Sequence, residues 1–464
     1  MSIFLPATLL GYFLLPRKLK NYWLLFASLF FYAFGAPKFV FVLILSSLLD
    51  FFLAQALQRH TVYAKKILAF GVIFNIGLLG YFKYANFFVE EFSRIFGWFG
   101  FGGIHIEQIA LPIGISFFTF QKISYLVDVY HKQAKVAKNF ANYLLYVSLF
   151  PQLIAGPIIR YHDISKQIEY RDHSKEKFLY GVFRFSRGLA KKVLIADSVG
   201  MIADKAFSIA YWDLSSPQAW IGILAYAMQI YFDFSGYSDM AIGLCRMFGF
   251  VIPENFRMPY IAKNFTEFWQ RWHISLSAWM KEYVYIPLGG NRVDMPRWIL
   301  NLWIVFLLSG LWHGASTTFI AWGAVHGFFL MTDKLFWIKA SEKFGKYVNI
   351  ILTFFWICIS WVLFRSQTLA DGLLYIHRLI DFSKNPVILW SDMLTSRALA
   401  MLILALALSF IPAFSWYQKW WHYWEKRSVY TRTYFEFFVA VVLLGLSMLA
   451  MAHADFTPFI YFRF

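Results

Sequence analysis

Apolar runs recur along the whole chain, many of them close to the roughly 20 residues that a helix needs to cross the hydrocarbon core of a bilayer. They cover residues 1–15, 22–34, 39–57, 67–84, 109–129, 143–159, 193–209, 220–244, 301–331, 348–364, 398–411 and 435–452. Composition agrees with the pattern. Hydrophobic residues make up 59% of the 464-residue chain and charged residues 15%, against about 25% charged in soluble domains. The expected class is an all-α polytopic membrane protein. Roughly ten to twelve transmembrane helices are expected, with re-entrant and interfacial helices besides.

Lys and Arg number 43 against 26 Asp and Glu, a formal charge of +17. Nucleic acid is not the expected partner, because cytoplasmic loops of membrane proteins collect Lys and Arg. An anionic cytoplasmic substrate can use the same charge. Basic clusters follow several runs: Arg17, Lys18 and Lys20; Lys132, Lys135 and Lys138; Lys334 to Lys346; Lys419 to Arg432. The loop with Glu90, Glu91 and Glu107 and a glycine-rich patch over 97–103 is poor in positive charge, and is expected outside. Placing every basic loop inside puts both termini outside. Residues 1–15 lack a basic n-region and a clear small-residue cleavage site, so they read as a short first membrane segment. Cys245 and Cys358 stand far apart in apolar surroundings and suggest neither a disulfide framework nor a zinc site. No metal site is expected. No linker or repeat divides the chain, so residues 1–464 are expected to form one integral-membrane domain.

Three regions depart from simple spans. Pro151, Gly156 and Pro157 interrupt 143–159, which has basic flanks on both sides. Proline breaks helices, and a re-entrant hairpin entering and leaving from the cytoplasm accommodates the breaks. Residues 246–298 are dense in Arg, Lys, Trp and Tyr but hold no long apolar run, as suits helices lying at an interface or in a cytoplasm-facing bowl. Residues 301–331 are longer than one span and too short for two with a turn. They are expected to form two shortened helices meeting near His313, and 245–331 is the expected active-site core.

His313 lies in Gly310-Leu311-Trp312-His313-Gly314-Ala315, inside that nearly uncharged stretch. An ionisable side chain at membrane depth is a functional-site hypothesis by default. A satisfied packing histidine is the competing reading. His326 follows 13 residues later; on one continuous helix that is about 20 Å of rise and a rotation near 220°. It is therefore a poor partner for His313 and reads as structural. Asp233, Ser235 and Asp239 lie among aromatics in Tyr231-Phe232-Asp233-Phe234-Ser235-Gly236-Tyr237-Ser238-Asp239, where the acids can equally pair with Arg or Lys. Phosphate-loop, dinucleotide-binding, Gly-x-Ser-x-Gly and zinc motifs are absent from the sequence, which disfavours ATPase, dehydrogenase and serine-hydrolase readings.

Taken together, these stretches resemble the membrane-bound O-acyltransferase (MBOAT) family, in particular its bacterial branch that acetylates polysaccharides. The resemblance runs in order through Gly80-Tyr81-Phe82-Lys83-Tyr84-Ala85-Asn86, Leu111-Pro112-Ile113-Gly114-Ile115-Ser116-Phe117, Ile154-Ala155-Gly156-Pro157 and the Tyr231 to Gly243 stretch. It continues through Trp269-Gln270-Arg271-Trp272-His273-Ile274-Ser275-Leu276-Ser277, Leu288-Gly289-Gly290-Asn291-Arg292, the His313 motif and Pro458 to Phe464. It implies a ring of tilted helices around a central tunnel, with His313 as the catalytic histidine and His273 as its companion. Trp312, Asn291, Arg292, Arg271, Asp233 and Ser235 become candidate tunnel or coenzyme A contacts. Arg257, Lys263, Lys281 and Arg297 join Arg271 and Arg292 as cations able to attract its phosphates.

The implied activity is O-acetyl transfer in the bacterial cytoplasmic membrane. No resident cofactor is expected; acetyl-CoA is the donor substrate. The acceptor is an exopolysaccharide such as alginate, or peptidoglycan. A periplasmic or extracellular partner with a catalytic serine receives the acetyl group, since this chain has no such domain. The outer loops and the aromatic tail are expected docking surfaces. A neutral imidazole at position 313, favoured by burial, can act as general base or carry the acetyl group. The alternatives are a transporter or flippase, for which broken helices and buried polar residues also speak, and a lipid-modifying enzyme of the same family.

Overall fold

The computed structural model describes residues 3–98, 108–153, 156–385, 389–452 and 458–460. Among them there is no β-strand. The glycine-rich patch lies largely outside the described residues, as do Glu107, Ile154, Ala155 and residues 461–464. Among the described residues six helical stretches are long and apolar enough to span a bilayer: Val40–Arg59, Thr61–Ser93, Met295–His313, Thr317–Arg365, Ser396–Ala413 and Val429–Ala452. Several expected spans are helices of another kind. Phe4–Leu14 is only 11 residues long, and Ser216–Met247 dilutes its 32 residues with Asp233, Asp239 and Arg246. The expected span 193–209 is the far part of a helical run that passes through a π-helical turn at Lys191–Ala196.

By contacts the chain divides into two compact units, Met1–Phe178 with Leu244–Pro253 and Leu179–Gly243 with Glu254–Phe464. The first holds α1 (Phe4–Leu14), α2 (Arg17–Gly35), α3 (Val40–Arg59), α4 (Ala64–Trp98), α5 (Ile115–Tyr130), α6 (Phe140–Ser148) and α7 (Tyr161–Glu169). Asp50 on α3 meets Lys122 on α5 at 3.2 Å, both fully buried, while Asn75 of α4 donates to the same carboxylate at 2.8 Å. Buried charge is tolerated only when paired and hydrogen-bonded in this way. Helix α6 stops at Ser148, and residues 149–153 turn before the non-helical stretch 156–160. The interruption expected from Pro151, Gly156 and Pro157 is thus present. Tyr146 pins the returning chain by donating to the Ile159 carbonyl at 2.8 Å.

In the second unit most of α8 (Lys175–Ala190), all of α9 (Asp197–Ser208) and most of α10 (Ser216–Met247) precede the short helices α11 (Phe265–Arg271) and α12 (Ile274–Met280). Then come α13 (Met295–His313), α14 (Thr317–Thr332), α15 (Ile338–Ser341), α16 (Gly345–Arg365), α17 (Leu369–Ile380) and α18 (Trp390–Met393), with α19 (Ser396–Phe410), α20 (Ser415–Glu425) and α21 (Val429–Ala452) last. Helices α8 and α10 cross where Gly188 faces Gly236 and Gly181 faces Gly243. A Cβ at Gly188 would meet the Gly236 carbonyl oxygen at 2.5 Å, and one at Gly243 the Gly181 carbonyl oxygen at 2.6 Å. Small residues let the backbones approach. The crossing brings three cations of one strip to Asp239: Arg184 at 2.6 Å, Lys191 at 2.9 Å and Arg187 at 3.1 Å. Lys192, the next residue, points away from Lys191 and pairs with Asp233 at 2.8 Å and Asp197 at 2.6 Å.

Candidate active site

The break between α13 and α14 sets the site. Pro296 at the start of α13 suits a position whose N–H has no helical partner. The helix ends on His313, because Gly314 turns extended (φ −168°). Ser316 then caps α14, its hydroxyl accepting from the Thr318 N–H. The two helices pack backbone to backbone at Gly310 and Gly323; a Cβ on either would lie 3.5 Å from the other's Cα and inside the carbonyl group of Phe319 or Phe306. A Cβ at Gly314 would enter the Phe319 ring. The expected break near His313 is present, but the helices are not shortened, since Met295–His313 and the helical run Thr317–Arg365 are each long enough to span a bilayer; Gly310 and Gly314 each have a packing reason.

His313 is 6% exposed. Its ring meets Trp312 at 5.0 Å, Trp322 edge-on at 5.1 Å and Phe364 at 5.1 Å. It lines a narrow pocket with Phe234, Trp272, Trp361, Phe364 and Ile460 among its walls. The free volume is about 10 Å³, roughly the room needed by one water.

His273 caps α12 in a left-handed conformation (φ 44°, ψ 51°) and is wholly buried. Trp312 bridges the two histidines, its ring 6.0 Å from that of His273 and 5.0 Å from that of His313. Phe234 stands edge-on to His273 at 4.7 Å. Burial pushes the His273 imidazole down to about 3, so the ring is neutral over the working range of an enzyme. Its Nδ1 lies 3.2 Å from Asn255 Oδ1, and its Nε2 has no partner among the described residues.

Other candidates fall elsewhere. Asp233 is engaged on both oxygens, by Lys192 and by the Ile460 N–H at 2.9 Å. It anchors the segment Pro458-Phe459-Ile460, which Lys192 also holds through the Pro458 carbonyl and the Phe459 ring. Within this part of the expected docking tail Ile460 is packed inside, only 4% exposed, while Pro458 remains exposed. Ser235 lies 3.3 Å from Lys191. Arg271 is tied to Glu267 at 2.7 Å and to the Arg257 carbonyl. Asn291 and Arg292 sit on an exposed turn after Gly289 (φ 106°) and Gly290 (φ 58°). Arg257, Lys263, Lys281 and Arg297 are exposed as well.

His326 is a satisfied core residue: Trp269 Nε1 donates to its Nδ1 at 3.2 Å, and its Nε2 meets Ser360 Oγ at 3.1 Å. The one-helix geometry used to separate it from His313 is corrected by the break. Both rings pack on Trp322, at 5.1 and 4.6 Å, and what sets His326 apart is that both its nitrogens are already bonded. Asn255, the residue that sequence reasoning passed over, follows Pro253 and Glu254, where an asparagine reads as turn chemistry. No local signal marks it as buried.

The family model described as "MBOAT, membrane-bound O-acyltransferase family" matches residues 26–370. The chain is 43% identical over 372 residues to "Probable alginate O-acetylase AlgI" of Azotobacter vinelandii, covering 80% of this chain and 74% of that protein. It is 41% identical over 412 residues to "Peptidoglycan O-acetyltransferase" of Helicobacter pylori, covering 80% and 76%. It is 28% identical over 278 residues to "Teichoic acid D-alanyltransferase" of Bacillus subtilis, covering 55% and 69%. The chain belongs to the membrane-bound O-acyltransferase family, and is a multi-pass membrane enzyme that transfers acyl groups to oxygen.

Proposed function

We propose that this enzyme moves acetyl groups from cytoplasmic acetyl-CoA toward a bacterial glycan outside the cytoplasmic membrane, with both of its termini on the outer side. The glycan is an exopolysaccharide such as alginate, or peptidoglycan, as the names of the relatives suggest. A separate extracytoplasmic partner with a catalytic serine takes the acetyl group onward. The observation that carries this reading is the pair of buried imidazoles bracketing Trp312 beside a narrow, aromatic-walled pocket.

The chemistry follows from those groups. A neutral His313 takes the proton of an attacking hydroxyl while its oxygen bonds to the thioester carbonyl carbon. The carbon–sulfur bond breaks, and the same proton passes to the departing coenzyme A thiolate. The products are an O-acetyl ester and the free thiol, so atoms and charge balance. Aromatic walls exclude water that would hydrolyse the thioester. The exposed cations Arg257, Lys263, Lys281, Arg292 and Arg297 suit the coenzyme A phosphates, and Arg271 lies at their edge.

The test is twofold. Labelled acetyl-CoA given to the purified protein in detergent, with no gradient, should lose its acetyl group to an added partner. A deletion strain should lose O-acetyl groups from exopolysaccharide or from wall. Normal acetylation of both polymers refutes the glycan assignment; movement of a solute without release of free thiol refutes acyl transfer.

A further inference from the structure

His273 adopts a backbone conformation that residues with side chains seldom take, and one neighbour holds it there. Asn255 is fully buried. Its backbone carbonyl accepts from the Ile274 N–H at 3.0 Å. Its Oδ1 accepts from the Ser275 N–H at 3.2 Å and the Ser275 hydroxyl at 2.8 Å, and faces His273 Nδ1 at 3.2 Å. Its Nδ2 donates to Ser238 Oγ at 3.2 Å. A further strap, Arg257 N–H to the Arg271 carbonyl at 2.9 Å, holds the same two segments together.

The orientation of this amide follows from chemistry. A backbone N–H only donates, so the Asn255 atom that faces the Ser275 N–H is the oxygen. An amide oxygen only accepts, so His273 Nδ1 carries the proton and donates to it. A neutral imidazole has one proton on its ring nitrogens, which leaves Nε2 with a bare lone pair. That nitrogen is the buried atom with no partner among the described residues.

We propose that Asn255 is a positioning residue that locks His273 in the Nδ1–H tautomer and dedicates its Nε2 to accepting a hydrogen bond from the bound reactants. This rests on the placement of His273 in the active site. It also narrows that residue's role, because Nε2 cannot donate to the thioester carbonyl. It takes an O–H or N–H, from the acceptor hydroxyl or from a pantetheine amide of the donor. Among the described residues no charged group perturbs the ring, burial being the one cause of its lowered pKa. Phe234 and Trp312 flank the ring, and the acids on the adjoining segments, Asp233, Asp239 and Glu254, are held by Lys192, by Lys191 and by Arg184.

The experiment measures kcat and KM for acetyl transfer from acetyl-CoA by the full chain between pH 5 and 9. It compares wild type, Asn255→Ala, Asn255→Asp and His273→Ala. Asn255→Ala is expected to lower kcat/KM at least about tenfold, the loss of one positioned hydrogen bond. A rise in KM for acetyl-CoA identifies the amide donor; a fall in kcat alone identifies the hydroxyl. Asn255→Asp keeps an oxygen for the Nδ1–H and should recover most of the rate. Its carboxylate favours the imidazolium, so an added acid limb, absent from wild type, should enter the measured range below about pH 6. That profile decides the matter even if the alanine variant folds poorly. Wild-type kcat/KM in Asn255→Ala, or an Asn255→Asp profile superimposable on wild type, overturns the proposal. Wild-type turnover by His273→Ala instead removes the placement on which it rests.

Discussion

Gly310 offers the sharpest test of how the fold positions His313. It lies one helical turn before His313 on α13 and touches α14 through Gly323. A Cβ built on it falls 3.1 Å from the Phe319 carbonyl carbon and 3.5 Å from the Gly323 Cα, with the Phe319 carbonyl oxygen closer still. Carbon atoms prefer about 3.5–4.0 Å, so Gly310→Ala must part the two helices by about 0.5–1 Å. Overpacking of this kind costs about 1–3 kcal/mol. The larger effect is on rate, because a displacement near 1 Å at a reacting group can cost about 100-fold. The matched control is Gly327→Ala on the facing helix, where the nearest atom is Phe306 Cβ at 3.5 Å, an ordinary contact. Acetyl transfer and thermal unfolding measured side by side should show a fall of about 10- to 100-fold in kcat for Gly310→Ala and near wild-type behaviour for Gly327→Ala. Equal rates in the two variants refute the claim that the glycine crossing sets the position of His313.

Three further outcomes follow from individual contacts. His326→Leu leaves the buried Trp269 N–H without its acceptor, so it should lose about 1–3 kcal/mol of stability with kcat little changed; a large fall in kcat at unchanged stability contradicts its assignment as packing. The ion pair of His162 with Asp128 at 2.9 Å raises the His162 pKa, the hydrogen bond to Asp128 being the largest cause. Its stabilisation is complete below the unfolded value near 6.5 and is lost as pH rises through the higher folded value. Wild type should accordingly lose its advantage over His162→Gln above that pH, and an unfolding difference that stays constant from acid to alkaline pH refutes the pairing. Ile460 closes one wall of the pocket beside His313, so Ile460→Ala should improve use of propionyl-CoA and butyryl-CoA relative to acetyl-CoA; an unchanged donor profile removes Ile460 from chain-length selection.

Much of this architecture is legible in the sequence because membrane helices announce themselves by uninterrupted apolarity. The break in α13–α14 is legible because Gly310, Gly314 and Gly323 punctuate a run of the wrong length for either one span or two. His313 stands out for the physical reason that an imidazole among Trp and Phe needs a purpose or a partner. What sequence periodicity could not convey is contact between segments far apart in the chain. Asn255 meets His273 across 18 residues through a non-helical clamp, and Asp233 meets Ile460 across 227. Asp233 and Ser235 engage Lys192 and Lys191, partners on another helix that no apolar pattern reveals. The break in the helix cancels the angle computed along it between His313 and His326, while the reading of His326 as structural agrees with its two bonded nitrogens.

Single-turnover acetyl transfer by purified His313→Ala, with folding verified by thermal unfolding, measures the central claim most directly. Loss of transfer by about 100-fold or more is expected for removal of a general base, with His273→Ala also impaired and His326→Leu near wild type. Wild-type transfer by His313→Ala contradicts acyl chemistry at this histidine.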